Sequence, residues 1–326
     1  MAQFIKLVFQ LLVLIALFLS ALWLFVARPF NFTTTREKVS ITADPSRLED
    51  TVRKLSLTMG PRDFNHQQQL STIADDTAYT FQTHNARVSL QTYLVNDICF
   101  HNVISEYGLP DSEGTIIIGA HYDTYGELPG ADDNASGVAA LFELGRMFSQ
   151  QPPPMKVLLV AYPLEEPPFF RTNDMGSYVH AASLKHSKEK VRLMISLEMI
   201  GYFSDAPNSQ RYSPSALSWI FPTTGNFIAV VGPPSISSAT ISLKKAITRS
   251  TELAALSINA PSLLPGVDFS DHLNYWKHDF DAVMVTDTAF LRNQNYHTEK
   301  DLPETLDYHR MAQVVTGVHS YVMNSN

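Results

Sequence analysis

The chain carries one cysteine, Cys99, in 326 residues. No intrachain disulfide can brace it, and no cysteine-rich zinc site can form. A lone thiol suits the cytosol and equally a bacterial envelope protein that never used disulfides. Cys99 lies in a strand-like stretch with no partner base, so it reads as structural rather than nucleophilic. Charge is also sparse, at 17% of residues, and its balance is -8. Such a chain is not built to neutralise phosphates, which excludes a general nucleic-acid or anionic-surface binder. No internal repeat and no low-complexity tract is present.

Apolar residues are plentiful. At 45% hydrophobic content the chain can bury the core of one large domain or two small ones. Residues Leu7 to Val26 carry no charge, and only Gln10 and Ser20 interrupt them as polar residues. That is the length needed to span hydrocarbon and longer than a signal-peptide core. No small-x-small cleavage site follows, so a retained anchor is expected over a cleaved signal peptide. Lys6 and the amino terminus on one side face Arg28, Arg36 and Lys38 on the other, so positive charge does not decide orientation. A short tail before a large domain favours a signal anchor, with the domain on the periplasmic or other extracytoplasmic side. The expected plan is a tail at 1–6, a transmembrane anchor at 7–26, a polar Thr-rich linker at 27–44 and one domain at 45–326.

Within that domain, Asp44-Pro45 opens a helix over 45–58 as cap and first residue, and a second polar helix covers 66–84. RVSLQTYLVN alternates as a strand with an exposed face, with Val88, Leu90, Thr92 and Leu94 on one side. TIIIGA is a continuous apolar run of the buried-strand type, MKVLLVAY, VRLMISL and AVMV read as further buried strands, and FIAVVG as another strand. Helical stretches fall at 137–148, 175–186, 236–255 and 305–322, while 201–226 breaks the rhythm. Strands alternating with helices predict a single three-layer α/β domain, its mixed and largely parallel sheet flanked by helices.

Seven metal-capable or acid/base residues sit mostly just past these runs. His121 and Asp123 follow TIIIGA, Asp133 lies in GADDNASG, Glu165-Glu166 follows VLLVAYPL, Glu198 follows LMISL, and His297 lies in NYHTEKD. A parallel sheet converges residues placed this way at its strand ends. Any one of them alone is more often a solvated or core residue; their joint placement is what points to a zinc hydrolase. Zinc accepts imidazole and carboxylate alike. Asp133, Glu166 and Glu198 with a bridging hydroxide would balance two zinc ions, and His121 and His297 would complete the shells. Glu165, beside a ligand but unbound, could shuttle the water's proton. Asp123, two residues along an extended segment, could orient His121 through its second ring N–H.

The series AHYDT, GADDNASG, LEEPPFF, MGSYVHA, SLEMIGYF, SDH and YHTEKD resembles metallopeptidase family 28, in order and spacing, from about residue 87 to the C-terminus. This co-catalytic dizinc group includes aminopeptidases, glutamate carboxypeptidase and glutaminyl cyclase. The resemblance implies two zinc ions and a peptide substrate. Position by position it makes His121 and His297 the imidazole ligands and Asp133 the bridge. Glu165 becomes the general base, Glu166 a terminal ligand and Asp123 the support of His121. It also implies a cis Asp133–Asn134 peptide. Glu198 stands where most members have Asp and is expected still to ligate. His272, in SDH, is expected to be structural or supporting. Phe169, Phe170 and Arg171 line a pocket or pack a loop; Tyr202, Tyr212 and Trp219 belong to a lid or a surface loop. The Asn134-Ala135-Ser136 sequon, inside the metal motif, is not expected to be glycosylated. The function expected is a membrane-anchored zinc aminopeptidase. The alternatives are a glutaminyl cyclase or carboxypeptidase-type hydrolase on the same fold, and a non-catalytic receptor-like domain. Oligomeric state is not legible.

Overall fold

A computed structural model describes residues 1–27, 36–109 and 114–325 of the chain. At its start, helix α1 (Ala2–Ala27) contains a stretch, Gln3–Ala21, of mean hydropathy 2.4 with none of it buried in protein. It is long and apolar enough to cross a membrane. Residues 28–35 of the expected linker lie outside the described residues. The remainder is held on the domain: Glu37 N–H donates to Arg249 C=O at 2.9 Å and Ala43 N–H to Thr316 Oγ1 at 3.0 Å. Asp44 then caps helix α2 (Pro45–Arg53), its carboxylate accepting the Ser46 N–H at 2.9 Å, with Pro45 at the first helical position.

The domain is built on one eight-stranded sheet. Its strands are β1 (Arg87–Val95), β2 (Ile98–Tyr107), β3 (Thr115–His121), β4 (Lys156–Tyr162), β5 (Val191–Glu198), β6 (Phe227–Gly232), β7 (Ala254–Asn259) and β8 (Ala282–Thr286), in the spatial order β1-β2-β4-β3-β5-β8-β6-β7. The interior pairs β3/β4, β3/β5 and β5/β8, and the edge pair β6/β7, are parallel; β1/β2, β2/β4 and β6/β8 are antiparallel.

All seven residues of β3 are buried, as a strand covered on both faces requires. Its side chains alternate: Ile116 and Ile118 enter the main core with helix α4 (Gly137–Gln150), whereas Ile117 enters a smaller cluster with Ala181 and Leu184 of helix α5 (Gly176–Ser187). The crossover through α4 leads to β4 on one side of β3, and that through α5 leads to β5 on the other. The two connections diverge from β3, so a crevice opens beyond the C-terminal ends of β3, β4 and β5.

Helix α3 (Gln67–Thr83) covers one face of β1 and β2, and α6 (Ser237–Ser250) packs with α8 (Tyr308–Met323). Two expectations change. The helix expected over 236–255 stops at Ser250, and β7 begins at Ala254. Glu252-Leu253-Ala254-Ala255-Leu256 has good helix formers, but pairing with β6 overrides that preference. In β1, Leu90 and Leu94 face solvent while Val95 is buried, because this edge strand has a helix on one face only.

Candidate metal centre

The site assembles where strands run out. His121 and Glu198 are the last residues of β3 and β5. Glu165 and Glu166 follow β4, Asp133 lies in the turn Ala131–Ser136 that leads into α4, and His297 lies between β8 and α8. His121 Nε2 stands 3.3 Å from Asp133 Oδ1 and 3.5 Å from Glu198 Oε2. His297 Nε2 stands 3.1 Å from Asp133 Oδ2 and 3.3 Å from Glu166 Oε1. The two oxygens of Asp133 thus face different imidazoles.

Among the described residues, these contacts leave His121 Nε2, His297 Nε2 and Glu166 Oε1 buried without a hydrogen-bond partner. Burying such atoms unpaired is costly, so the arrangement calls for something between them. Zinc with bonds of about 2.0–2.1 Å, arranged tetrahedrally, spaces its donors about 3.3–3.4 Å apart. The donor set therefore fits zinc in both chemistry and spacing. Two groups of potential ligands, His121/Asp133/Glu198 and Asp133/Glu166/His297, share Asp133, and a third joins His121 to Glu165 and Glu166. Glu198 reaches the cluster despite its extra methylene, and Ser270 Oγ–H donates to its Oε2 at 2.8 Å.

Crowding sets the protonation. Burial opposes charge on His121, yet Glu198, Asp123 and Asp133 outweigh it and hold the imidazole well above its ordinary value. Burial likewise opposes charge on His297, but Asp133 and Glu166 raise it to about 10. For Asp133, the two histidines overcome burial and lower its pKa. Burial dominates for the other acids: it raises Glu166 to about 8, and pushes Glu165 well up and Glu198 up.

A surrounding layer holds the donors in place. His121 Nδ1 lies 3.2 Å from the Asp123 carbonyl oxygen and 3.4 Å from its carboxylate. That carboxylate accepts the N–H groups of Glu165 at 3.2 Å and Glu166 at 3.1 Å, so it also fixes the Glu pair. Asn134, after the cis Asp133–Asn134 peptide, donates to Leu197 C=O and accepts from the Met199 N–H, tying the turn to the end of β5. It is fully buried, which removes it as a glycosylation acceptor.

Sequence reasoning missed three supports. Asp301 accepts the N–H groups of Asp132 at 2.9 Å and Asp133 at 3.1 Å. Arg62, buried far from its neighbours in sequence, donates to the carbonyls of Leu55, Tyr122, Pro129 and Gly130. Gly130 has φ +55, and a Cβ there would collide with the Asp133 carbonyl. Tyr125 and Tyr296 sandwich His297, with ring centroids 4.1 and 3.8 Å away. The acid of HTEKD was a visible signal for Asp301; nothing local marked Arg62 or Tyr125.

The remaining candidates divide. His272 is buried with Nε2 on the Val267 carbonyl at 2.8 Å and lies outside the donor groups. Phe170 lines the metal cavity together with Phe269 and Tyr296, whereas Phe169 packs against Phe64. Arg171 pairs with Asp268 at 2.6 Å beside the rings of Phe170 and Phe269. Tyr212, Leu217 and Phe221 from the irregular 201–226 segment wall an apolar cavity of about 110 Å³, with Val231, Ile258 and Met284 of the sheet. Glu198, Phe269 and Tyr296 border both cavities. Trp219 points outward and Tyr202 donates its N–H to Asp287.

The model of peptidase family M28 matches residues 102–322, and the chain belongs to that family. It is 48% identical over 291 residues to the uncharacterized protein YfbL of Escherichia coli (strain K12), covering 87% of this chain and 89% of that one. Among solved structures, it resembles BSAP, a zinc aminopeptidase from Bacillus subtilis, with TM-score 0.69 and 13% identity over 87% of this chain and 96% of that one. It also resembles Bacteroides thetaiotaomicron glutaminyl cyclase bound to N-acetylhistamine, with TM-score 0.65 and 18% identity over 88% and 99%. At these identities the two structures establish the fold.

Proposed function

We propose that the protein is a membrane-anchored zinc aminopeptidase that removes N-terminal residues from peptides on the extracytoplasmic side. The observation that carries this reading is the pair of donor groups sharing Asp133, with Glu165 beside them. His121, Asp133 and Glu198 would hold one zinc ion, and Asp133, Glu166 and His297 a second. Bound there, zinc supplies Lewis acidity toward the scissile carbonyl and acidifies a water. Glu165 would take the proton of the attacking water and pass it to the leaving amine, while the Asp123 carboxylate holds the Glu pair by accepting its backbone N–H groups. The membrane assignment rests on the length and composition of α1.

The walls support an aminopeptidase over a carboxypeptidase-type enzyme. Among the described residues, no lysine or arginine lines either cavity, so no cationic side chain there receives a C-terminal carboxylate. The metal cavity itself is lined by the candidate ligands and Glu165 together with Phe170, Phe269 and Tyr296. An apolar cavity of about 110 Å³ beside it suits one large apolar side chain; an apolar cavity of about 150 Å³ accepts benzene. A receptor-like domain is disfavoured because every ligand and base position carries a competent residue. Glutaminyl cyclase remains the second reading, favoured by the fold likeness alone.

Glu165→Gln should keep the metal and lose about 10²–10⁴-fold in turnover. Metal content and hydrolysis of leucyl, acyl-glutamate and N-terminal glutaminyl peptides are the measurements. Wild-type turnover in the variant refutes the role of Glu165, and cyclisation without hydrolysis selects the cyclase.

A further inference from the structure

The apolar cavity is walled by two segments whose tips turn large apolar side chains outward. Trp219 is 89% exposed and Leu263 91%; the next such side chain of the described domain, Tyr79, is 67% exposed. On the same segments Leu217, Phe221 and Leu264 turn inward and line the cavity. Each segment is therefore apolar on both sides. Neither carries a charged residue between Ser213 and Asn226 or between Asn259 and Val267. A tryptophan with exposed neighbours of this kind suits the headgroup level of a bilayer.

The chain's own N-terminus indicates that occupant. Eight residues, 28–35, separate α1 from Arg36, a reach on the order of 30 Å when extended. Arg36 pairs with Glu252, and Glu37 with Arg249, just ahead of the edge strand β7. That strand runs roughly 20 Å and leads directly into the segment carrying Leu263. The sheet edge that receives the tether is the edge that ends at the cavity.

We propose that Trp219 and Leu263 form a docking tip that rests in the surface of the bilayer carrying α1, with the apolar cavity behind it. The proposal rests on the membrane-anchored reading given above. It places the enzyme where peptides with apolar N-terminal residues accumulate. Because the tip is uncharged, docking needs no anionic lipid.

Full-length protein carrying Trp23→Phe, reconstituted in phosphatidylcholine vesicles with brominated acyl chains, tests this. The emission of Trp219 should fall at least twofold relative to unbrominated vesicles. Trp23→Phe/Trp219→Phe should show no comparable loss, leaving Trp276 unquenched. Equal emission in the two vesicles overturns the tip, and so does a crosslink that joins Trp219 segments of two copies in place of lipid contact. The mass of protein extracted from membranes separates the two failures. A chain lacking α1 overturns the anchor and this proposal with it; an intact chain with unquenched Trp219 overturns docking alone.

Discussion

Zinc added to the metal-free protein should release protons, and the site sets a lower bound on how many. A ligand binds the metal only after losing its proton. Without metal, burial opposes charge on both imidazoles, but neighbouring carboxylates hold His121 well above its ordinary value and His297 at about 10. Burial keeps Glu166 at about 8. At pH 7 His297 therefore carries a displaceable proton and Glu166 most of another, so full loading releases at least about two per chain, and the raised His121 and Glu198 can only add to that number. These pKa values are raised, so each proton is present below the folded pKa and gone above it. Between pH 7 and 9 Glu166 ionises by itself and the release falls by nearly one, while His297 keeps its proton until about 10. Calorimetric titration at pH 7, 8 and 9 in buffers of different ionisation enthalpy reads the count as a slope. A slope near zero at pH 7, or one that grows with pH, refutes the reasoning. At a zinc concentration a thousand times the Kd, each bound ion should add about 4 kcal/mol of stability, or roughly 7 °C in Tm for a domain of this size.

Three further outcomes are expected. Asp301→Ala strands the Asp132 and Asp133 N–H groups it now accepts; zinc affinity measured against a chelator should fall about 10–100-fold, and unchanged affinity and Tm would remove Asp301 from the support of the bridge. Ala260→Phe fills the apolar cavity and should lower kcat/KM for leucyl and phenylalanyl substrates about tenfold or more while sparing alanyl ones; an equal effect on all three would place substrate elsewhere. His319 is buried with both ring nitrogens unpartnered, and burial lowers its pKa to about 4. Its folded pKa lies below the unfolded value, so stability is lost as pH falls from about 6.5 to 4, by up to about 3 kcal/mol. Denaturant midpoints of metal-free protein and His319→Gln should converge or cross over that range, and a constant gap would contradict the shift.

Much of the fold was legible because its elements carry strong local signals. The largely apolar runs of β3, β4 and β5 read as buried strands, and Asp44-Pro45 announced a helix start. β7 was not legible: its half-buried residues follow helix-forming ones, and only pairing with β6 makes them a strand. The candidate donors were visible because carboxylates and imidazoles after buried strands have few other reasons to recur. Their supports were not, since Arg62 and Tyr125 act through contacts with residues remote in sequence.

The sequence by itself determined which residues could bind and titrate, and at which strand ends they stand, because apolar periodicity and residue chemistry are local properties. Tertiary structure alone decided that the two oxygens of Asp133 face different histidines, and that Asp123 braces the Glu pair as well as His121. It alone also set an apolar cavity beside the acidic one. Most of those are distances between segments remote in sequence, and only the packed sheet and its diverging crossovers bring them together.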